Sequence, residues 1–420
     1  MQQIKLSYQR TTPIVAPTHI PSAKSLHNRW LVLQHLYFPS LQILNPSKAN
    51  DSRLLLELFQ KIKKGESNLN AEDAGTTFRF LTAFLATQKG SFILNGSERM
   101  KERPIKGLVD MLKQLGVSIS YLEKQGYPPL QIEGKDRLSQ KKIEAQAHES
   151  SQFLSAMAMI APSIKGGLRF VLPDKIASRS YFEMTLQCMQ TLGLHGEWSL
   201  NRKELFVKAF DPSKECIVSK IEVEKDWSSA SFWILLPLLL PDLEVRLPHL
   251  SRHSQQPDAL FLLQNAKALG IEISASEEGV IVRHKGNTSA GLTIDFSLAP
   301  DCSINTIAVL SAAKIQANCK GLSTLRYKET DRIKALQNEL SKTGAHLIET
   351  GDDNYELRYS QETEPLSTLS FDTYLDHRMA MAFSYFAIQR EIIIENPDVV
   401  KKSYPDFWVD VSTLFQIKHP

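Results

Sequence analysis

Charged side chains of both signs crowd the segment LRYKETDRIKALQNEL. Lys328, Glu329, Asp331 and Arg332 fall within five residues, at the head of an apolar stripe of Ile333, Leu336 and Leu340 at helical spacing. A helix start presents unpaired backbone N–H groups and a partial positive charge, which suits a phosphate or a carboxylate. A solvated helix start with i,i+4 ion pairs would explain this segment alone, and Asp331 keeps that reading. The rest of the chain adds similar clusters. IPSAKSLHNRW puts Lys24, Ser25 and Arg29 in first helical turns, where the helix dipole opposes cations unless an anion is bound. EDAGTT enters a helix through Gly75, which allows a ligand close to the backbone. SERMKERPIKG packs Arg99, Lys101 and Arg103 ahead of Pro104, a residue suited to the first helical position. YLDHRMAMAF carries Asp376, His377 and Arg378, with His377 read as structural; KKSYPDFW carries Lys401, Lys402 and Asp406. There is no nucleophile elbow, P-loop, dinucleotide fingerprint or H-E-x-x-H in the sequence. A surplus of Lys and Arg with a few carboxylates, without metal ligands or cofactor motif, describes acid–base chemistry and electrostatic clamping of phosphorylated or carboxylated substrates.

These residues need elements to aim them, and the chain repeats such elements. LVDMLKQLGVSISYL, LQCMQTLGLHGEWSL, LLQNAKALGIEISAS and LQNELSKTGAHLIET each read as an amphipathic helix closed by glycine and followed by a strand. Their glycines, Gly116, Gly193, Gly270 and Gly344, are spaced by 77, 77 and 74 positions, so a supersecondary unit recurs. Hydroxyl clusters at Thr76-Thr77, Ser150-Ser151, Ser228-Ser229 and Ser303 precede apolar helical runs at a similar period and read as helix caps. Equivalent units would converge several helix N-termini on one place, a strong anion site. Helix and strand in each unit make the class α/β or α+β with mixed sheets.

The bulk properties agree. A chain of 420 residues predicts two or three domains, and 42% hydrophobic with 23% charged residues is ordinary globular composition. A net charge of +3 does not argue for nucleic acid but suits small anions. Cys188, Cys216, Cys302 and Cys319 lack metal-like spacing, which points to a reduced, cytoplasmic setting. No signal peptide is visible at MQQIKLSYQR, and FWILLPLLL is too short to span a bilayer.

Taken in order, PSAKSLHNR, DAGTTFR, ERMKERPIKGLVD, YPPLQI, SSQFLSAM, DWSSASF, PDCSINTIA, LRYKETDRI, TYLDHRMAMAF and KKSYPDF resemble the 5-enolpyruvylshikimate-3-phosphate synthase (EPSP synthase) family from about residue 20 to residue 406. The resemblance implies an α/β (α+β) enolpyruvyl transferase-like fold of two domains, each made of three βαβαββ units in an inside-out α/β barrel. One domain would join residues 1–18 to 225–420, the other would span 19–224, and the active site would lie in the cleft between them. The implied reaction moves the enolpyruvyl group of phosphoenolpyruvate to the 5-hydroxyl of shikimate 3-phosphate and releases phosphate, on the route to chorismate and aromatic amino acids. It implies no cofactor, no metal, no nucleic-acid or membrane partner, and a monomer. Carried over by motif, Ser150, Ser151 and Ser178 hold the phosphate of shikimate 3-phosphate. Ser25, Arg29, Gln152, Tyr181 and Lys328 meet its ring and carboxylate. Lys24, Arg103, Arg332, Arg378 and Lys402 grip phosphoenolpyruvate, with backbone from Gly75. Lys24, Asp301 and Glu329 are the catalytic set: Asp301 takes the hydroxyl proton, and Glu329 or Lys24 supplies one to the methylene carbon.

Five positions depart from the family pattern: Ser22 for a glycine and Ala23 for a serine in the first motif, Asp73 in the second, Phe80 for a proline, and Pro257 for a glycine. An anion at Asp73 should weaken substrate binding unless it pairs with a neighbouring cation. Two rivals follow. One is a non-catalytic metabolite-binding homologue. The other is the sister transferase acting on UDP-N-acetylglucosamine, which needs a loop cysteine; this chain has no cysteine before residue 188.

Overall fold

The computed structural model describes residues 2–419 apart from 10–12, 137, 139, 140, 147–149, 214, 215, 287, 290 and 361–367. The chain forms two compact units, one of Met1–Ala23 with Glu224–Pro420 and one of Lys24–Val223. Both are built from the same sheet. In the continuous unit, Asn68–Asn70, Gly90–Asn95, Leu130–Gly134 and Ser118–Tyr121 lie side by side in that order, and Lys142–Glu144, Leu168–Val171, Glu204–Val207 and Gly196–Trp198 repeat the order. The first pair of each sheet is parallel and the other two pairings are antiparallel. A third element here is a parallel pair, Gln42–Leu44 with Lys220–Glu222.

The discontinuous unit holds three four-stranded copies. They begin at Ile14–Val15, Thr293–Asp295 and Leu369–Phe371. In the last copy the strand Gln3–Tyr8 sits between Ile392–Glu395 and Phe415–Lys418, antiparallel to both. The strands alternate buried and exposed side chains, so each sheet keeps one face in water. The helices do the reverse. Ser303–Ala312 is buried at all ten positions, and Gly75–Ala86, Ser151–Ile160, Trp227–Leu235 and His377–Phe383 are buried almost all round. A helix apolar on every side belongs in the centre, so sheets wrap a helical core in each unit. In the discontinuous unit that core includes Phe232 stacked on Tyr385, with ring centroids 4.6 Å apart.

The four repeat glycines all take the left-handed conformation, with φ of 82° at Gly116 and Gly193, 73° at Gly270 and 77° at Gly344. The capping expectations fare less well. Ser150 alone caps as expected, its Oγ accepting from Gln152 N at 3.2 Å. Helix Trp227–Leu235 is capped by Asp226, which accepts from Ser228 N at 2.9 Å; the two serines lie inside the first turn. Helices Gly75–Ala86 and Ser303–Ala312 have no side-chain cap. Pro104 also misses its expected place: the helix runs Lys106–Gln114 behind Ile105. Among the described residues no helix is long and apolar enough to cross a membrane.

Candidate active site

In the discontinuous unit, first helical turns from distant parts of the chain meet in one ion network. Arg332 opens helix Arg332–Ser341, and Asp331 caps it by accepting from Lys334 N at 3.2 Å. The Arg332 guanidinium, whose side chain is 1% exposed, is held on three sides. Nε donates to Asp376 Oδ2 at 2.7 Å, one terminal nitrogen donates to Asp376 Oδ1 at 3.2 Å and Glu329 Oε2 at 2.9 Å, and the other donates to Asp301 Oδ1 at 3.1 Å. Asp301 also takes Arg378 at 3.1 Å and Lys328 at 3.2 Å, and Lys402 lies 3.7 Å from Glu329. Four cations thus face three carboxylates, leaving an excess of one positive charge.

The charges set one another. Burial works to raise the Asp301 carboxyl, but Arg378, Lys328 and Arg332 outweigh it and the repulsion of Glu329, and hold Asp301 well below the usual carboxylate range. Burial works to lower Arg332, and Asp376, Glu329 and Asp301 override it, so the guanidinium is more firmly protonated than usual. Asp376 caps the next helix, accepting from Arg378 N at 2.9 Å, and so orients two arginines at once. His377 is buried beside it.

The continuous unit also joins its helix starts, largely through hydroxyls and backbone. Lys24 opens helix Lys24–Tyr37 and pairs with Asp51 in the first turn of helix Asn50–Lys63, at 2.9 Å. Thr77 Oγ1 donates to Asp51 O at 3.0 Å, and Gln152 Nε2 donates to Thr76 Oγ1 at 3.1 Å, tying in helices Gly75–Ala86 and Ser151–Ile160. Arg79 in turn donates to Gln152 Oε1 at 2.9 Å. Arg29 donates to Thr185 Oγ1 at 2.7 Å, Ser25 O at 2.6 Å and Tyr181 O at 3.0 Å, linking helices Lys24–Tyr37 and Arg179–Thr191. Its carbon head lies 5.5 Å from the centre of the Phe80 ring, which gives the departure at Phe80 a physical use. Burial lowers Arg29 to about 10, against the raising influence of Cys188 and Tyr181.

Arg103 is 6% exposed, yet its hydrogen bond to the Asp73 carbonyl is long, 3.4 Å, and its Nε meets no hydrogen-bond acceptor among the described residues. The guanidinium lies against Gly75: a Cβ there would come within 2.5 Å of it. A buried guanidinium with unused donors beside an uncapped helix start favours an anion. Ser151 begins its helix, and Ser178 begins Arg179–Thr191 in a left-handed conformation, φ 49°. Helices Ser151–Ile160 and Arg179–Thr191 pack together.

The expected residues therefore fall into two sets. Asp301, Lys328, Glu329, Arg332, Arg378 and Lys402 form one network, and Lys24, Ser25, Arg29, Gly75, Arg103, Ser150, Ser151, Gln152, Ser178 and Tyr181 line the helix starts of the other unit. Arg99 and Lys101 stand apart, engaged by Glu102 at 2.6 Å and by Glu98 and Glu123 at 3.1 and 2.9 Å. Lys401 pairs with Asp398 at 2.9 Å. Sequence reasoning gave no role to Asp376 or Asp51. The only signal for either was an acidic residue at a helix start, which is commonplace.

The sequence profile of the EPSP synthase (3-phosphoshikimate 1-carboxyvinyltransferase) family matches residues 57–411. The chain belongs to the EPSP synthase family. It is 35% identical over 400 residues to the 3-phosphoshikimate 1-carboxyvinyltransferase of Bacteroides fragilis strain YCH46, covering 95% of each chain. It is 32% identical over 440 residues to that of Shewanella sp. strain MR-7, covering 99% of this chain and all of the relative. The fold matches the EPSP synthase of Acinetobacter baumannii with a TM-score of 0.75 at 19% identity, over the whole of both chains. It also matches the enolpyruvyl transferase NikO of Streptomyces tendae with a TM-score of 0.72 at 14% identity, over all of this chain and 99% of that one.

Proposed function

We propose that the protein transfers the enolpyruvyl group of phosphoenolpyruvate to the 5-hydroxyl of shikimate 3-phosphate, releasing phosphate. Family membership supports the reaction, and the observation that carries its chemistry is the Asp301–Arg332–Asp376 network with its surplus cation. Phosphoenolpyruvate brings a phosphate and a carboxylate, and Arg332, Arg378, Lys402, Lys24 and Arg103 supply their counter-charges, with backbone N–H groups at Gly75. Ser150, Ser151 and Ser178 take the phosphate of the second substrate, and Ser25, Arg29, Gln152, Tyr181 and Lys328 its ring and carboxylate. The enzyme works as a cytoplasmic monomer without a nucleic-acid partner.

The depressed Asp301 carboxyl refines the proton path. Surrounded by three cations, Asp301 is ionised but a weak base. Substrate anions that engage Arg332, Arg378 and Lys328 take up part of that positive field and raise its basicity, so it accepts the 5-hydroxyl proton once both substrates are seated. Glu329, between Arg332 and Lys402, or Lys24 protonates the methylene carbon, and carboxylates nearby stabilise the cationic character that develops at C2. Loss of a methyl proton back to that same group re-forms the double bond as the C2–O bond to phosphate breaks, and the phosphate leaves with the proton from Asp301, held by Lys and Arg side chains.

The test is phosphate release by the purified protein given phosphoenolpyruvate and shikimate 3-phosphate. Turnover that needs both substrates and disappears in Glu329→Ala is the expected result. Tight binding of either substrate without phosphate release would replace this reading with that of a metabolite-binding homologue.

A further inference from the structure

The turn that delivers Asp376 is wound against its preference. Tyr374 and Leu375 are consecutive left-handed residues, with φ of 51° and 55°, and neither is of a type that favours that region. Leu375 is 69% exposed, so packing of its side chain does not hold the turn. The restraint comes from helix Arg332–Ser341, which grips the segment at both ends. At its start Arg332 binds Asp376 through two nitrogens. Two helical turns later Glu339, 1% exposed, takes the Asp372 N–H on Oε2 at 3.1 Å and the Tyr374 hydroxyl on Oε1 at 2.9 Å. Lys342 donates to the same carboxylate at 2.5 Å, and Asn338 donates to the Tyr374 hydroxyl at 3.2 Å. Two adjacent left-handed residues persist only where their surroundings over-determine them.

We infer that Glu339 and Tyr374 are positioning residues that act through Asp376, holding the 372–376 turn so that Asp376 sets the Arg332 and Arg378 guanidinium groups for their anionic ligand. The inference deepens the reading above and rests on it for the ligand, but not for the geometry.

The Arg332 Nε–H, donated to a fully buried carboxylate, provides a direct probe by 15N spectroscopy of the full-length protein, assigned by its loss in Arg332→Lys. Tyr374→Phe should speed exchange of that proton with water about 3- to 10-fold and raise KM for phosphoenolpyruvate by a similar factor. The value of kcat should stay within about twofold, and Asn338→Ala should leave all three within about twofold. Adding Leu375→Asn to Tyr374→Phe should recover part of both losses, because Asn tolerates the left-handed region. A lowered Tm in Tyr374→Phe with unchanged exchange would make the clamp purely structural and overturn the inference. Absence of any recovery in the double variant would remove strain from it. If the wild-type protein releases no phosphate, the functional reading falls, while the exchange measurement still decides the clamp.

Discussion

The two units gather helix starts with the same sheet architecture and neutralise them by opposite means. The discontinuous unit packs cations and carboxylates within hydrogen-bond reach, so that Arg332 is almost fully enclosed by Asp376, Glu329 and Asp301. Apart from the Lys24–Asp51 pair, the continuous unit relies on hydroxyls, a glutamine and carbonyls, and leaves Arg103 buried with a weak contact to the Asp73 carbonyl. The first arrangement is preorganised by its own ions. The second has donors left over for a ligand. A surplus of donors favours binding, whereas a densely paired network fixes pKa values and geometry.

The sharpest way to break this contrast is to remove one charge from each side. Asp376→Ala leaves Arg332 buried without its main partner and should cost about 3–5 kcal/mol in urea unfolding, along with nearly all turnover. Arg103→Ala should change stability by only about 1 kcal/mol while raising KM for phosphoenolpyruvate steeply. Equal destabilisation by the two would erase the distinction.

Acid should separate the units next. Burial lowers His27, in the continuous unit, to about 4, and its ring accepts the Ser47 N–H at 3.2 Å. Between the ordinary histidine value and that lower one, the unfolded chain binds a proton that the native ring refuses. Stability is therefore full above pH ~6.5 and falls by up to about 3 kcal/mol as the pH drops to 4. Asp301 is depressed instead, so its contribution is present above the ordinary carboxylate range and is lost only as the pH falls through its lower native value. Denaturant melts across pH 7 to 4 should weaken the continuous unit first, and His27→Gln should flatten that slope.

Smaller effects test the grip itself. Gly75→Ala puts a methyl into the Arg103 guanidinium, which must swing away; KM for phosphoenolpyruvate should rise about 10- to 100-fold with little change in Tm. Phe80→Leu removes the ring beside Arg29 and should raise KM for shikimate 3-phosphate about 2- to 5-fold, leaving phosphoenolpyruvate untouched. A phosphoenolpyruvate effect of the same size would mean that Arg29 serves both substrates.

Much of this was legible in the residues. The period of four helix-closing glycines reports the repeat because a left-handed closure restricts the residue type. The repeat ending in Phe415–Lys418 escaped, since its helix closes through Ser412 in a right-handed conformation and carries no such mark. Charge clustering found Lys328, Glu329, Arg332 and Arg378, which lie within a few residues of one another in two motifs. It could not pair Asp301 with Arg378 or Lys24 with Asp51, because those contacts are made by packing across the fold. The hydroxyl clusters misled for a related reason: a serine inside the first turn and a serine before it look alike, and only backbone geometry separates them.

The strand Gln3–Tyr8, flanked on both sides by strands from the last thirty residues of the chain, sets a timetable. Lys24–Val223 has all its strands in hand once residue 223 has been made and can fold while synthesis continues. The opening strand must wait, unpaired, for nearly the whole chain to emerge. Changes in Gln3–Tyr8 or in Phe415–Lys418 thus act on one shared sheet, and on the unit that carries Asp301 and Arg332.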